Sequence, residues 1–444
     1  MNNALAAKLH SQTQSLLIES KAKLFEWIAA LGAPLHLVFP QRFTENIETL
    51  QDALTKQGLK HEVYFAKKAN KAQCFTQAAS EYDIGVDVAS VQEFELALSG
   101  GIKGVKIGVS GPHKSDTLIN LALVHQALIA IDSYAELDCV IAIAKQRKIP
   151  ARVLLRLQTQ STKTSRFGSS LCQLSSLLTQ CREYKEWVGL EGFSCHLSGY
   201  CPHARGNSIH TLVSAIDEAQ QMGLSPSKIN IGGGLPISYL EDEHWQHALD
   251  FECFFAGKTF AGFYPYYTKQ SLEDTLLAIL AVKNEHGQSA LEALQLKDLT
   301  LMLEPGRALL DQAGISLFKV QGIKPHLGTS DCYIATLSGS SLSLSEQWFE
   351  SEYLPSPLLL SQHSNGILGE YRVAFGGATC LDSDMLSWRF IPLSQLPQRD
   401  DLMVYLNTAG YQMDSNESEF HSMPLPRKIA VTWESNMLSW QLLS

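Results

Sequence analysis

The chain has 444 residues, 45% of them hydrophobic and 18% charged, with a formal net charge of -10. That is enough apolar material for two domains, or for one large barrel with an addition. The modest acidic balance excludes the usual electrostatics of a nucleic-acid binder and offers nothing to an anionic membrane surface.

The first twenty residues, MNNALAAKLHSQTQSLLIES, lack the long apolar core of a secretory signal, and no run of about 18 apolar residues follows anywhere. Nine cysteines, an odd number without metal-ligand or disulfide spacing, fit reduced thiols in a cytoplasm. Most read as small core residues. GAPLHLVFP near residue 35 reads as an early strand that joins a later β domain, so residues 1–42 are assigned to that domain.

From about residue 60 to 235 apolar runs alternate with amphipathic stretches. The runs are EVYFA, IGVDVA, VKIGVSG, ALIAIDS, ARVLLRL, LEGFSCHLS and KINIGGG, with helix-like pieces such as SVQEFELALSGG and SDTLINLALVHQ between them. Such alternation means parallel strands with crossover helices. The predicted fold class is α/β: a (β/α)8 TIM barrel over 43–304, an open doubly wound sheet being the alternative. Residues 305–444 carry short strands, among them ISLFKVQGI, YRVAFGG, DLMVYL and KIAVTW, and predict a mostly antiparallel β domain. The aromatic segment from Phe251 to Tyr267 has two readings, a packed excursion on the barrel or a pocket wall.

Polar groups stand at the ends of the predicted barrel strands: Lys68 after YFA, Asp87 in GVDVAS, His196 after GFSC, Gly232, Gly233 and Gly234 after KINI, and Glu304 and Arg307 in EPGR after LTLML. In a barrel of this type the active site lies at that end. A lone strand-end lysine is usually a solvated turn residue, but these groups converge on one rim. Consecutive glycines let backbone N–H groups approach a phosphate, and an arginine completes the cradle. A desolvated lysine has a lowered pKa and forms a Schiff base, and a carboxylate keeps a pyridine nitrogen protonated. Together these are the needs of pyridoxal 5'-phosphate. Lys67 is expected to face away from Lys68, because neighbours on a strand alternate.

FAKKAN, GVDVASVQEFELAL, GPHK, AIDSYAEL, LLRL, GFSCHLSGY, INIGGGLP, LEPGRALL and GGATCLDSDML, in this order, resemble the fold-type III pyridoxal-phosphate decarboxylases that act on ornithine, diaminopimelate and related amino acids. The resemblance spans about residues 35 to 425 and implies an alanine-racemase-like barrel, a β domain, and a homodimer with active sites at its interface. It gives Lys68 as the Schiff-base lysine, Asp87 and Glu93 as supporting acids, and His196 as the ring-stacking histidine. Ser198, Gly232, Gly233, Gly234, Arg307 and Tyr411 are given to the phosphate and Glu304 to the pyridine nitrogen. It gives Cys380 as the proton donor from the other subunit. An amino-acid racemase and a catalytically silent regulatory relative are the rival readings.

Three departures bear on the substrate. The family's cysteine motif continues with an acid that reads the distal amine; here Leu381 takes its place and Ala378 replaces a proline, leaving Asp382 as the alternative reader. Ser338 and Gly339 stand where an Asp-Gly pair is usual, and Ser198 and Gly199 stand in exchanged order. Arg205 is either a reader of a substrate carboxylate or a solvated loop residue. Arg166 and Asp384 occupy positions that pair across the family's dimer. The pattern points to an atypical or conjugated L-amino acid, the branch that serves siderophore and antibiotic pathways.

Overall fold

The computed structural model describes residues 5–162, 165–249, 254–327, 331–344, 346, 350–362, 368–434 and 437–443. Strand β1, Leu35–Val38, precedes eight parallel strands that close on themselves. These are β2 Lys60–Ala66, β3 Gly85–Val88, β4 Ile107–Val109, β5 Leu128–Ile131, β6 Ala151–Arg156, β7 Val188–Ser194, β8 Lys228–Asn230 and β9 Thr300–Leu303. The ring closes where Lys60 to Val63 of β2 register with Thr300 to Leu303 of β9. The sheet is thus a barrel and not the open alternative.

Alternation along β2 sorts its side chains. Val63 and Phe65 pack outward against the helical layer, whereas Tyr64 points inward to meet Leu128, Leu154 and Met302 in the lumen. Gly85 is required there, because a Cβ at that position would overlap the Tyr64 ring. At the strand starts Arg152 bonds Glu191 and Lys228 reaches Glu62 at 2.7 Å, a charged plug under the Tyr64 ring. The helices outside are amphipathic: Pro40–Lys56 buries Phe43, Ile47, Leu50 and Leu54 on one stripe.

The second sheet has nine strands. Besides β1 it holds β10 Gly314–Pro325, β11 Cys332–Leu337, β12 Leu358–Leu360, β13 Leu368–Gly376, β14 Met385–Gln395, β15 Leu402–Tyr405, β16 Arg427–Glu434 and β17 Met437–Leu443. It is antiparallel except where β1 meets β16 and β11 meets β13. The early strand does join it: β1 lies between β10 and β16, with all four residues buried. Burying Leu35, Leu37 and Val38 contributes about 1.5–3 kcal/mol each. No helix among the described residues is long and apolar enough to cross a membrane. Of the eight described cysteines, four are buried, so the core reading holds for Cys74, Cys181, Cys195 and Cys332 only.

Candidate active site

Each barrel strand delivers a polar group at its C-terminal end. Two cavities, of about 570 and 650 Å³, open there and share Lys68, His196, Ser198 and Glu304 as lining. The smaller runs along Ser110, Arg156 and Asn230; the larger runs along Gly233, Gly234, Arg307 and Tyr411. Ala261 to Pro265 wall the larger cavity, so the pocket-wall reading of the aromatic segment holds for those residues. Phe251, Glu252 and Cys253 of that segment lie outside the described residues.

Lys67 and Lys68 do not continue the strand. The chain leaves β2 at Ala66 and enters a 3₁₀ turn, Lys67–Ala69, which sends the two side chains apart by its own geometry and not by strand alternation. Lys67 is buried and donates to the Lys71 carbonyl at 2.8 Å, and burial above all pulls its pKa down to about 8. Lys68 faces the cavities. Burial pulls its pKa down as well, but Asp87, Tyr411 and Glu304 more than offset this and hold it above the usual lysine value. The expected lowering thus falls on the neighbour: at Lys67 burial outweighs the charges of Asp414 and Glu93, whereas at Lys68 the surrounding acids outweigh burial.

Asp87 is buried; its Oδ2 accepts from Ser110 Oγ at 2.9 Å, while Oδ1 is buried with no hydrogen-bond partner. Burial first, then the charge of Glu304, push its carboxyl well above the usual range. The Lys68 ammonium works the other way and offsets part of that rise. Glu304 accepts from Asn230 Nδ2 at 2.6 Å, and Asn230 Oδ1 in turn accepts from the Gly232 N–H at 2.8 Å. Glu93 turns back to cap its own helix, accepting from the Ala89 N–H at 2.7 Å while its N–H donates to Ser90 Oγ.

The His196 pKa is lowered to about 3, by burial first and then by Lys68, Arg156 and Arg205, so the imidazole is neutral. A Cβ on Gly232 would overlap His196 Nδ1, one on Gly233 the Glu304 carbonyl, and one on Gly234 the Arg205 guanidinium. The three glycines let the histidine, the carboxylate segment and the arginine close around one backbone turn.

Arg307 is buried and committed within the chain: Nη1 donates to the Gly410 carbonyl at 2.7 Å and Nη2 to Glu346 at 3.2 Å. Glu346 more than offsets the effect of burial and raises its pKa. Tyr411 adopts φ 79°, an uncommon conformation for a tyrosine, held by its N–H donating to the Ala69 carbonyl at 2.8 Å. That bond ties the β domain to the Lys68 turn.

Arg205 is neither a solvated loop residue nor a cavity-lining one. It lies in the helix Pro202–Gln221, 1% exposed, with its guanidinium on backbone carbonyls. Cys380, Leu381 and Asp382 are exposed on the loop between β13 and β14 and do not line the Lys68 cavities of their own chain. The Cys380 N–H donates to His421 Nε2 at 3.3 Å. Asp384 is buried and accepts from the Ser341 N–H at 2.7 Å, the Thr379 N–H at 3.2 Å and the Thr379 hydroxyl at 2.7 Å. Its oxygens face inward, whereas Arg166 is exposed over the Phe167 ring. Within this chain Asp384 anchors its own loop.

The sequence profile described as "Pyridoxal-dependent decarboxylase, pyridoxal binding domain" matches residues 41–311, more than half of the chain. The chain belongs to this decarboxylase family. An uncharacterised protein of Sinorhizobium fredii is 35% identical over 97% of this chain and 94% of its own length. The diaminopimelate decarboxylase of Bacillus subtilis is 25% identical over 90% of this chain and 87% of its own. Among solved structures, the diaminopimelate decarboxylase of M. jannaschii with L-lysine superposes with a TM-score of 0.74 at 19% identity, covering 94% of this chain and 91% of that one. The lysine/ornithine decarboxylase of Vibrio vulnificus with putrescine gives 0.70 at 20% identity, covering 93% and 98%. These likenesses show the same barrel and β domain.

As a member of the pyridoxal-dependent decarboxylases, the chain is a carboxy-lyase whose cofactor is pyridoxal 5'-phosphate. The residues present fit that group. Lys68 and Glu304 line both cavities, the buried Asp87 acts on Lys68 and keeps its Oδ1 as an orphaned acceptor, and the glycine turn leaves no room for side chains. Among the described residues the N–H groups of Gly199, Tyr200, Gly233 and Gly234, all cavity-lining, donate to no protein acceptor. Four residues of this decarboxylase site escape the sequence reading as individuals: Ser110, Arg156, Asn230 and Glu346. The first three are polar residues at or just after strand ends, a signal the sequence did contain; Arg156 pairs with Asp132 at 3.4 Å.

Proposed function

We propose that the chain decarboxylates an L-amino acid or amino-acid conjugate whose far end carries no ammonium group. We further propose that it works as a homodimer in which the partner subunit's Cys380 returns a proton to the substrate. Lys68 would hold the cofactor aldehyde through Nζ, whose positive charge Asp87 and Glu304 stabilise. Glu304, fixed by Asn230, would hold the proton of the pyridine nitrogen. Neutral His196 would stack on the ring without adding a competing charge. The N–H groups of Gly199, Gly233 and Gly234, with Ser198 and Tyr411, would seat the phosphate, and Arg307 braces Tyr411 from behind. When bound, pyridoxal phosphate supplies an electron-poor ring that accepts the electron pair left by the departing carboxylate. The chain's part is to exclude water, to keep that ring protonated through Glu304, and to return a proton from Lys68 Nζ or Cys380 Sγ.

The observation that carries the substrate reading is the side chain at residue 381. Leu381 is apolar and 53% exposed on the Cys380 loop, so it presents a greasy surface where an acid would pair with an amine. Ser338 supports this, since its hydroxyl is buried and occupied by the Lys319 N–H at 2.9 Å. The test is CO2 release from free ornithine and lysine beside citryl-, glutamyl- and carrier-linked amino acids. Preference for the conjugates is expected; a strong preference for the free diamines would refute the reading and move the amine to Asp382. Lys68→Ala should abolish the visible absorbance of bound cofactor, and a variant that keeps it would remove Lys68 from its role.

A further inference from the structure

Arg205 is the buried charge that the site as described does not use. Its Nη2 donates to the carbonyls of Gly199 at 2.6 Å and Leu197 at 3.3 Å, and its Nη1 to that of Ile231 at 3.4 Å. Its Nε is buried with no partner, and among the described residues it makes no ion pair. The groups acting on its charge are Cys195, Tyr200 and Cys201, none of them an acid at neutral pH, and burial lowers its pKa. An uncompensated buried guanidinium is costly, and an anion arriving nearby would offset that cost.

The location says which counterion. The two loops whose carbonyls Arg205 draws inward, 197–200 and 231–234, are the two that line the larger cavity with unpartnered N–H groups. The peptide unit is planar, so drawing the Gly199 carbonyl to Arg205 turns the Tyr200 N–H the other way; on the second loop the N–H after Ile231 is taken by Asn230, and the tie is the Ile231 carbonyl itself with the close packing of Gly234. Gly234, at φ 77°, packs its Cα directly on the guanidinium. Arg307, the cation first assigned to the phosphate, is already neutralised by Glu346.

We propose that Arg205 is the positioning residue and the countercharge for the cofactor phosphate, acting through the two loops it holds and not by touching the anion. The inference rests on the glycine turn being the phosphate seat. It predicts that the apoenzyme distinguishes pyridoxal phosphate from pyridoxal chiefly through Arg205.

The experiment titrates apoenzyme with pyridoxal phosphate, with pyridoxal, and with inorganic phosphate, the first two followed by absorbance and the third by melting temperature. Arg205→Met should weaken pyridoxal phosphate about tenfold or more, the loss of one charge-assisted interaction. It should leave pyridoxal affinity unchanged and abolish stabilisation by inorganic phosphate, and Arg205→Lys should recover part of both. Equal losses for pyridoxal phosphate and pyridoxal, or none for either, would overturn the proposal. If Arg205→Met does not fold, the double variant Arg307→Gln, Glu346→Gln asks the question from the other side. Phosphate discrimination that survives in it supports Arg205, and discrimination that vanishes assigns the charge to Arg307. If the parent protein itself binds both compounds equally, the phosphate seat has been misplaced, which is a different failure from that of Arg205.

Discussion

Replacing Glu346 with alanine tests the joint between the two domains. Glu346 accepts from Arg307 just beyond the barrel, from the Tyr266 hydroxyl at 2.8 Å and from Gln412, with its side chain 1% exposed. Glu346→Ala strands the Arg307 guanidinium and leaves both other donors without this acceptor. Removing one partner of a buried ion pair costs about 3–5 kcal/mol, and the stranded hydroxyl and amide push toward the upper end. The unfolding entropy of roughly 2 cal/mol/K per residue, taken over 444 residues, makes a degree of melting temperature worth about 1 kcal/mol. The expected drop is therefore about 3–5 °C in a thermal melt of the apoenzyme followed by circular dichroism. Replacing the pair together, Arg307→Met with Glu346→Met, should cost less than Glu346→Ala alone, because no charge is then left behind. A Glu346→Ala melting point within about 1 °C of the parent would refute the reasoning.

Two further outcomes follow from the titrating groups. Asp87→Asn removes the strongest raising influence on Lys68, so the pH at which apoenzyme loads pyridoxal phosphate rapidly should move downward, measured by the rise of bound-cofactor absorbance at a series of pH values. An unchanged pH profile would show that Asp87 does not act on the lysine. His36 is buried beside Ser316 with its pKa lowered to about 3, by burial first. A depressed histidine contributes stability above its unfolded pKa of about 6.5 that is lost as pH falls toward the folded value. Between pH 7 and 5 this group alone should cost about 2 kcal/mol. His36→Gln should accordingly lose about 2 °C less than the parent over that interval; equal acid sensitivity of the two proteins would count against a neutral buried imidazole.

The barrel was legible because its strands are buried on both faces and read as short apolar runs ending in polar residues. Lys68, Asp87, His196 and Glu304 stood out by the same contrast. The Lys67–Ala69 turn was not legible, since it contains neither glycine nor proline to announce it. Arg205 was misread because GYCPHARGN looks like loop chemistry. In the structure Pro202 starts the helix, where a missing N–H costs nothing, and Gly206 lets the helix press against Val282. Glu346 sits in a serine-rich stretch resembling solvated surface, and its partner Arg307 is 39 residues away. No local periodicity records a contact of that kind.

Strand β1 sits between a neighbour made from residues 314–325 and another made from residues 427–434. During synthesis the opening segment therefore emerges long before either of its companions exists. Every residue of the barrel must leave the ribosome while that ribbon of Leu35, His36, Leu37 and Val38 has unsatisfied edges. A product shortened before Arg427 would keep a complete barrel and still carry an open, apolar strand near its beginning, a ready template for sticking to another chain.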